Sequence, residues 1–229
     1  MIQHIAFIMD GNRRWAKRQG LQVFLGHRKG AEAIKNVVDF CLSNSIKYTS
    51  LYTFSTENFN RSHEEVSFLF DLLMNEAQKK LSLFLEQNVR IRFIGDSSLF
   101  PASIVSTIES LQNATQHCDA LNLNFLFCYG SRQEIIGGIK KFFEHVKSGM
   151  VALEDLTEEL FKQYLWTSNI PEPELIIRTS GVKRLSNFLL YQAAYSEFYF
   201  LDCLWPEITQ EHMQAALQSY IETKRNFGQ

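Results

Sequence analysis

Ile5-Ala6-Phe7-Ile8-Met9-Asp10-Gly11-Asn12-Arg13-Arg14-Trp15 is the stretch whose reading decides the fold. Consecutive apolar residues, two of them Ile, read as a short strand buried in a parallel sheet. That strand runs straight into a carboxylate, a Gly, an amide and two guanidinium groups. In open α/β sheets ligands collect beyond the carboxyl ends of the strands. There a Gly allows close backbone approach, Arg offers phosphate oxygens a forked donor, and Asp can hold Mg²⁺ against the same oxygens. The segment points to an anionic, phosphate-bearing ligand with a metal. A plain Asp-Gly turn with exposed arginines is the competing reading of these residues alone.

Further along the chain, apolar runs alternate with helical patterns. Ala31, Ile34, Val37, Val38 and Cys41 recur at three-and-four spacing and predict an amphipathic helix over His27–Asn44. Strands are expected at Tyr48–Phe54, Val89–Ile94, Leu121–Cys128, Leu175–Ile177 and Phe198–Leu201. Helices are expected near Pro101–His117, Gln133–Lys147 and Leu156–Leu165, with a last one capped by Thr209. Ser62 with Glu65 three residues on is a capping signal that opens a long helix reaching Asn88. This helix is apolar over a wide arc (Val66, Phe68, Leu69, Phe70, Leu72, Leu73), so it is buried on more than one side. A core-plus-dimer face and the wall of an apolar cavity both fit it. Strand–helix alternation of this kind predicts a six-stranded, mostly parallel sheet flanked by helices. The loops after the first, second, fourth and fifth strands then share one sheet edge. Glycines and arginines recur in three of them, which favours the phosphate reading. Arg178 and Arg184, bracketing Thr179-Ser180-Gly181 and preceding Ser186-Asn187, could enclose a diphosphate.

Composition sets bounds on this reading. No linker, repeat or low-complexity tract divides the 229 residues, so 1–229 reads as one domain. A formal charge of −2 gives no support for nucleic-acid binding. Cys41, Cys118, Cys128 and Cys203 lack metal-ligand spacing and read as reduced core thiols of a cytoplasmic protein. No signal peptide is read before the first strand, and no apolar run is long enough to span a membrane. Neither a P-loop nor a dinucleotide fingerprint occurs, and no Asp-Asp pair is present.

Taken together, Asp10–Ala16, Gly26-His27, Phe54–Arg61, Ile177-Arg178-Thr179, Arg184–Leu190, Tyr195-Ser196-Glu197, Leu204-Trp205-Pro206 and Phe227-Gly228 resemble the cis-prenyltransferases, the undecaprenyl diphosphate synthase group in particular. The resemblance spans essentially the whole chain. It implies a homodimeric α/β enzyme with an apolar tunnel. Its reaction would be Mg²⁺-dependent addition of isopentenyl diphosphate to an allylic diphosphate such as farnesyl diphosphate, each new double bond being cis. The expected product is a long polyprenyl diphosphate serving as a bacterial cell-wall lipid carrier, with peripheral membrane contact through that lipid. By position, the resemblance makes Asp10 the catalytic, metal-holding residue and Glu197 a second metal contact. Gly11, Asn12, Arg13, Arg14, Trp15 and His27 would receive the allylic diphosphate. Ser55, Thr56, Glu57, Phe59 and Arg61 would line the reacting end, with Asn58 as the family's proton acceptor, although a neutral amide is a poor base. Arg178, Arg184, Leu185 and Ser186 would take isopentenyl diphosphate. In this light the long helix becomes a tunnel wall.

Three positions depart from the family's pattern. Val23 stands where an Arg is common, Ser180-Gly181-Val182 where Gly-Gly-Glu is common, and Asn226, beside Arg225, where an Arg is common. None removes Asp10, Arg178, Arg184 or Glu197. A silent prenyl-binding partner subunit and a phosphate-ester hydrolase are the rival readings. The first is disfavoured by the intact Asp and arginines, the second by the lack of another carboxylate in the Asp10 loop.

Overall fold

A computed structural model describes residues 2–223. Its six strands are β1 (His4–Ile8), β2 (Tyr48–Ser55), β3 (Val89–Ile94), β4 (Leu121–Tyr129), β5 (Leu175–Arg178) and β6 (Glu197–Phe200). They form one sheet in the order β3-β4-β2-β1-β5-β6, and every neighbouring pair is parallel. The helices are α1 (Asn12–Arg18), α2 (Val23–Ser43), α3 (His63–Lys79), α4 (Leu81–Glu86), α5 (Ala102–Thr115), α6 (Ser131–Lys147), α7 (Glu158–Lys162) and α8 (Gln210–Glu222).

Both sheet faces are covered, which is why β1 and β4 are buried at every position. Alternate residues serve the two faces. Ile5, Phe7, Leu51, Leu123 and Ile177 pack with α2 and α8 through Val37, Cys41, Met213 and Leu217. Ala6, Ile8, Leu126 and Ile176 pack under Phe188, Leu189 and Trp166. Phe54 and Phe127 pack on Phe70 and Met74 of α3 and Ile104 and Ile108 of α5.

Glycine permits one close approach that matters for the site. A Cβ at Gly26 would lie 2.2 Å from the Asn12 carbonyl oxygen, and one at Gly30 would lie 2.3 Å from Asn12 Oδ1. Side chains of any size would push α2 away from α1. The Gly30 carbonyl also accepts the Trp205 indole N–H at 2.8 Å.

Several expected elements are adjusted. The long helix is broken at Lys80, whose ammonium reaches the Ala31 carbonyl of α2 and Glu76. Helix α2 begins at Val23, so His27 lies inside it and does not open it. Helix α7 is shorter than its pattern suggested. All four cysteines are free thiols. No helix among the described residues is long and apolar enough to cross a membrane. Arg225, Asn226, Phe227 and Gly228 lie outside the described residues.

Candidate active site

β1 and β5 are neighbours, yet the chain leaves β1 toward β2 and leaves β5 toward β6, on opposite sides. Their carboxyl ends therefore flank the topological switch point, where open sheets form a ligand crevice. Asp10 and Arg178 stand there. Arg178 is only 4% exposed. Its guanidinium donates to Asp10 Oδ2 at 2.9 Å, to Ser186 Oγ at 2.9 Å and to the Arg184 carbonyl. Arg14, from α1, reaches Asp10 Oδ1 at 3.0 Å and the Ser180 hydroxyl at 2.6 Å. Burial opposes ionisation of Asp10. Hydrogen bonds from Arg178, Ser180 and Arg14 outweigh it and hold the carboxyl below its usual range. The Asp10 carbonyl is fixed by the Thr179 hydroxyl at 2.6 Å and the Trp205 N–H at 3.0 Å. One carboxylate between two guanidiniums leaves a local positive excess, suited to a second anion.

A cleft of about 530 Å³ opens beside this pair. Ser55, Glu57, Asn58 and Arg61 line one side, and Arg132, Arg184, Ser186 and Asn187 the other. Asn187 ties the walls together. Its Nδ2 donates to Glu57 at 2.8 Å and Gln133 at 3.0 Å, while its Oδ1 accepts the Arg132 N–H at 2.9 Å. Thr56 is half-buried in the first wall, Phe59 lies edge-on to Phe54, and Leu185 packs in the layer under Phe188. Gly11 forms the turn into α1, where Asn12 Oδ1 is buried without a partner. Arg13 is exposed and Trp15 half-buried on the same helix.

Below the cleft an apolar cavity of about 120 Å³ runs between the sheet, α2 and α3. Ala31, Ile34, Leu69, Leu72, Leu73 and Phe127 line it, and it shares Met9, Tyr52, Asn58 and Arg61 with the cleft. It stands where the resemblance implies a tunnel. The two readings of α3 prove compatible, because one face packs in the core and another lines the cavity.

Three of the expected residues have settings that bear on their roles. His27 is 7% exposed and lines the cavity, with Nε2 3.2 Å from Glu65 Oε1. Burial lowers its pKa and Glu65 opposes that shift. The Asn58 amide oxygen is already engaged, accepting the Ser55 N–H at 3.0 Å. Glu197 pairs with Leu175 at the start of β5, whereas Arg178, level with Asp10's strand end, pairs with Phe200. Glu197 therefore stands roughly 10 Å or more down the sheet from the cleft.

In the sequence Glu65 fits only a helix-capping pattern. Its N–H does donate to Ser62 at 3.3 Å, but its carboxylate turns inward to His27 and to Arg61 at 3.1 Å. The capping spacing gives no hint of a partner 38 positions away. Tyr52, inside β2, and Arg132, just after β4, line the cleft as well, and only the place of Arg132 after an apolar run could have flagged it. Among the described residues no three His, Cys, Asp or Glu gather into a metal cluster. A single carboxylate facing phosphate oxygens is still an ordinary Mg²⁺ arrangement, so Asp10 fits such an ion shared with a ligand.

Residues 8–228 match the family model of undecaprenyl diphosphate synthases. The isoprenyl transferase of Thermotoga maritima is 42% identical, over 99% of this chain and 96% of its own. Lavandulyl diphosphate synthase from Lavandula x intermedia, solved in complex with dimethylallyl diphosphate, is 31% identical with a TM-score of 0.96, covering 100% of this chain and 98% of that one. A probable undecaprenyl diphosphate synthase from Campylobacter jejuni is 33% identical with a TM-score of 0.82, covering 100% and 99%. Parallel sheet, switch-point arginines and full-length likeness agree: this chain belongs to the undecaprenyl diphosphate synthase family of isoprenyl transferases, the cis-prenyltransferases.

Proposed function

We propose that the protein condenses isopentenyl diphosphate with an allylic diphosphate, farnesyl diphosphate being the first choice, to build a long cis-polyprenyl diphosphate. The observation that carries this reading is the stacking of two environments. A cationic cleft around Asp10 and Arg178 opens onto an apolar cavity between α2 and α3. A diphosphate with a hydrocarbon tail has the same two-part character.

In this reading Arg13, Arg14 and the turn at Gly11-Asn12 hold the allylic diphosphate, and its tail enters the cavity past His27. Arg178, Arg184 and Ser186 hold isopentenyl diphosphate. Asp10 would hold Mg²⁺, which would supply charge neutralisation for the leaving group. The allylic C1–O bond breaks, C1 joins C4 of the isopentenyl group, and a proton leaves C2. Asp10 is a poor acceptor for that proton because two guanidiniums hold its carboxyl ionised. Asn58 is poorer still, so the departing diphosphate oxygen takes it. The apolar walls keep water from the reacting carbons.

The enzyme is proposed to act as a homodimer in the cytoplasm and to meet the membrane through its lipid product, a cell-wall carrier. An exposed apolar stripe on α6 (Ile136, Ile139 and Phe143, each about half exposed) suits a subunit interface. Incubation with farnesyl diphosphate, radiolabelled isopentenyl diphosphate and Mg²⁺ tests the reaction. Long labelled chains are expected. Release of inorganic phosphate would favour the hydrolase, and no turnover would favour a silent partner subunit.

A further inference from the structure

We infer that Ser180 is a positioning residue that sets Arg14 for the allylic diphosphate; the inference rests on the function proposed above. Ser180 follows β5 with φ at 85°, and Gly181 follows it at 70°. Left-handed backbone is imposed at both positions by the turn. The Ser180 N–H donates to the Cys203 carbonyl at 2.7 Å, and the Gly181 N–H to the Leu201 carbonyl at 2.8 Å. Gly adopts such angles freely, whereas a residue with a Cβ is strained there. The chain uses Gly at one position and Ser at the other.

The side chain has work that accounts for the strain. Ser180 is 8% exposed. Both arms of the Arg14 guanidinium land on it, one on the hydroxyl at 2.6 Å and the other on the carbonyl at 3.2 Å. A hydroxyl oxygen accepts from a guanidinium, which neither a Gly nor an Ala side chain can do. The Arg14 side chain is 46% exposed, and its other charged partner is Asp10 Oδ1 at 3.0 Å. Ser180 thus holds the guanidinium that meets the diphosphate in place beside Asp10. The backbone bonds of the turn need no side chain, so a purely structural role would be served better by Gly.

Ser180→Gly and Ser180→Ala separate these roles. Loss of one charge-assisted bond should raise KM for farnesyl diphosphate about ten-fold in both variants, with KM for isopentenyl diphosphate changed less than about two-fold. Thermal unfolding should place Ser180→Gly at or above the parent protein and Ser180→Ala at or below it. Calorimetric titration with farnesyl thiodiphosphate reads the same contact without turnover, and about ten-fold weaker binding is expected. That readout stands even if the condensation itself is not found. Unchanged farnesyl thiodiphosphate affinity in Ser180→Gly would overturn the inference. A defect confined to Ser180→Ala and tracking its lower stability, or an equal rise in both KM values, would overturn it too.

Discussion

Strand β1 ends in two very different polar settings. At its amino end His4 is fully buried, with Nδ1 2.7 Å from the Pro171 carbonyl and Nε2 2.9 Å from the Ser50 hydroxyl, and Asn124 donates to the same hydroxyl. Burial drives the His4 pKa down to about 4, so the imidazole is neutral at pH 7. At the carboxyl end Asp10 is ionised, half-buried and shared by two guanidiniums beside an open cleft. Both ends are hydrogen-bonded. Only the second combines uncompensated charge with an opening, and that combination, more than polarity itself, marks the ligand site.

The comparison can be broken at its charged end first. Asp10→Asn keeps the size but removes the charge and one of the two oxygens that accept from Arg14 and Arg178. Turnover should fall by on the order of 10³, about 4 kcal/mol of transition-state stabilisation, while circular dichroism stays that of the parent. Near-normal turnover would remove Asp10 from the mechanism. The neutral end should answer to pH. His4 binds a proton less readily folded than unfolded, so its contribution is complete above about pH 6.5 and is lost as pH falls toward 4. It amounts to about 3 kcal/mol. Urea unfolding at pH 7 and pH 4 should show that loss in the parent and a much smaller one in His4→Gln.

Two smaller effects sharpen the picture within the cleft. Arg184→Ala should raise KM for isopentenyl diphosphate by about ten- to a hundred-fold and spare KM for farnesyl diphosphate, since one charged hydrogen bond contributes roughly 1.5–3 kcal/mol. Equal effects on both substrates would refute the division into two pockets. Val23, the half-buried first residue of α2, offers no donor. Val23→Arg should tighten binding of farnesyl thiodiphosphate by about 1 kcal/mol, once side-chain ordering is subtracted. Flat binding together with a several-fold loss in Arg18→Ala would mean that Arg18 already fills that place.

Much of this was legible in the chain because it is local. The apolar runs before Asp10, Ser55, Tyr129 and Arg178 mark strands, and a parallel sheet must deliver the residues that follow them to one edge. Pairing across the sheet is different. Nothing in Tyr195-Ser196-Glu197 states that Glu197 will lie level with Leu175, because register depends on partners elsewhere in the chain. Glu65 looked like a cap because its neighbours fit one, and its inward turn depends on a His in another helix. The bend at Lys80 is likewise a tertiary event, an ammonium drawn to a carbonyl of α2.

The pressed contact between Asn12 and the two glycines of α2 also bears on inheritance. Gly26, Gly30, Asn12 and Trp205 share one small space, although they come from three distant parts of the chain. A codon change that adds even a methyl group at either glycine would lever α2 off the turn that follows Asp10. Drift at these four positions should therefore be concerted or absent. The exposed Arg28, Lys29 and Glu32, on the same helix, are free to wander. In a set of descendants α2 would then carry two rates of change on two sides, with the slow side recording the turn after Asp10 that it touches.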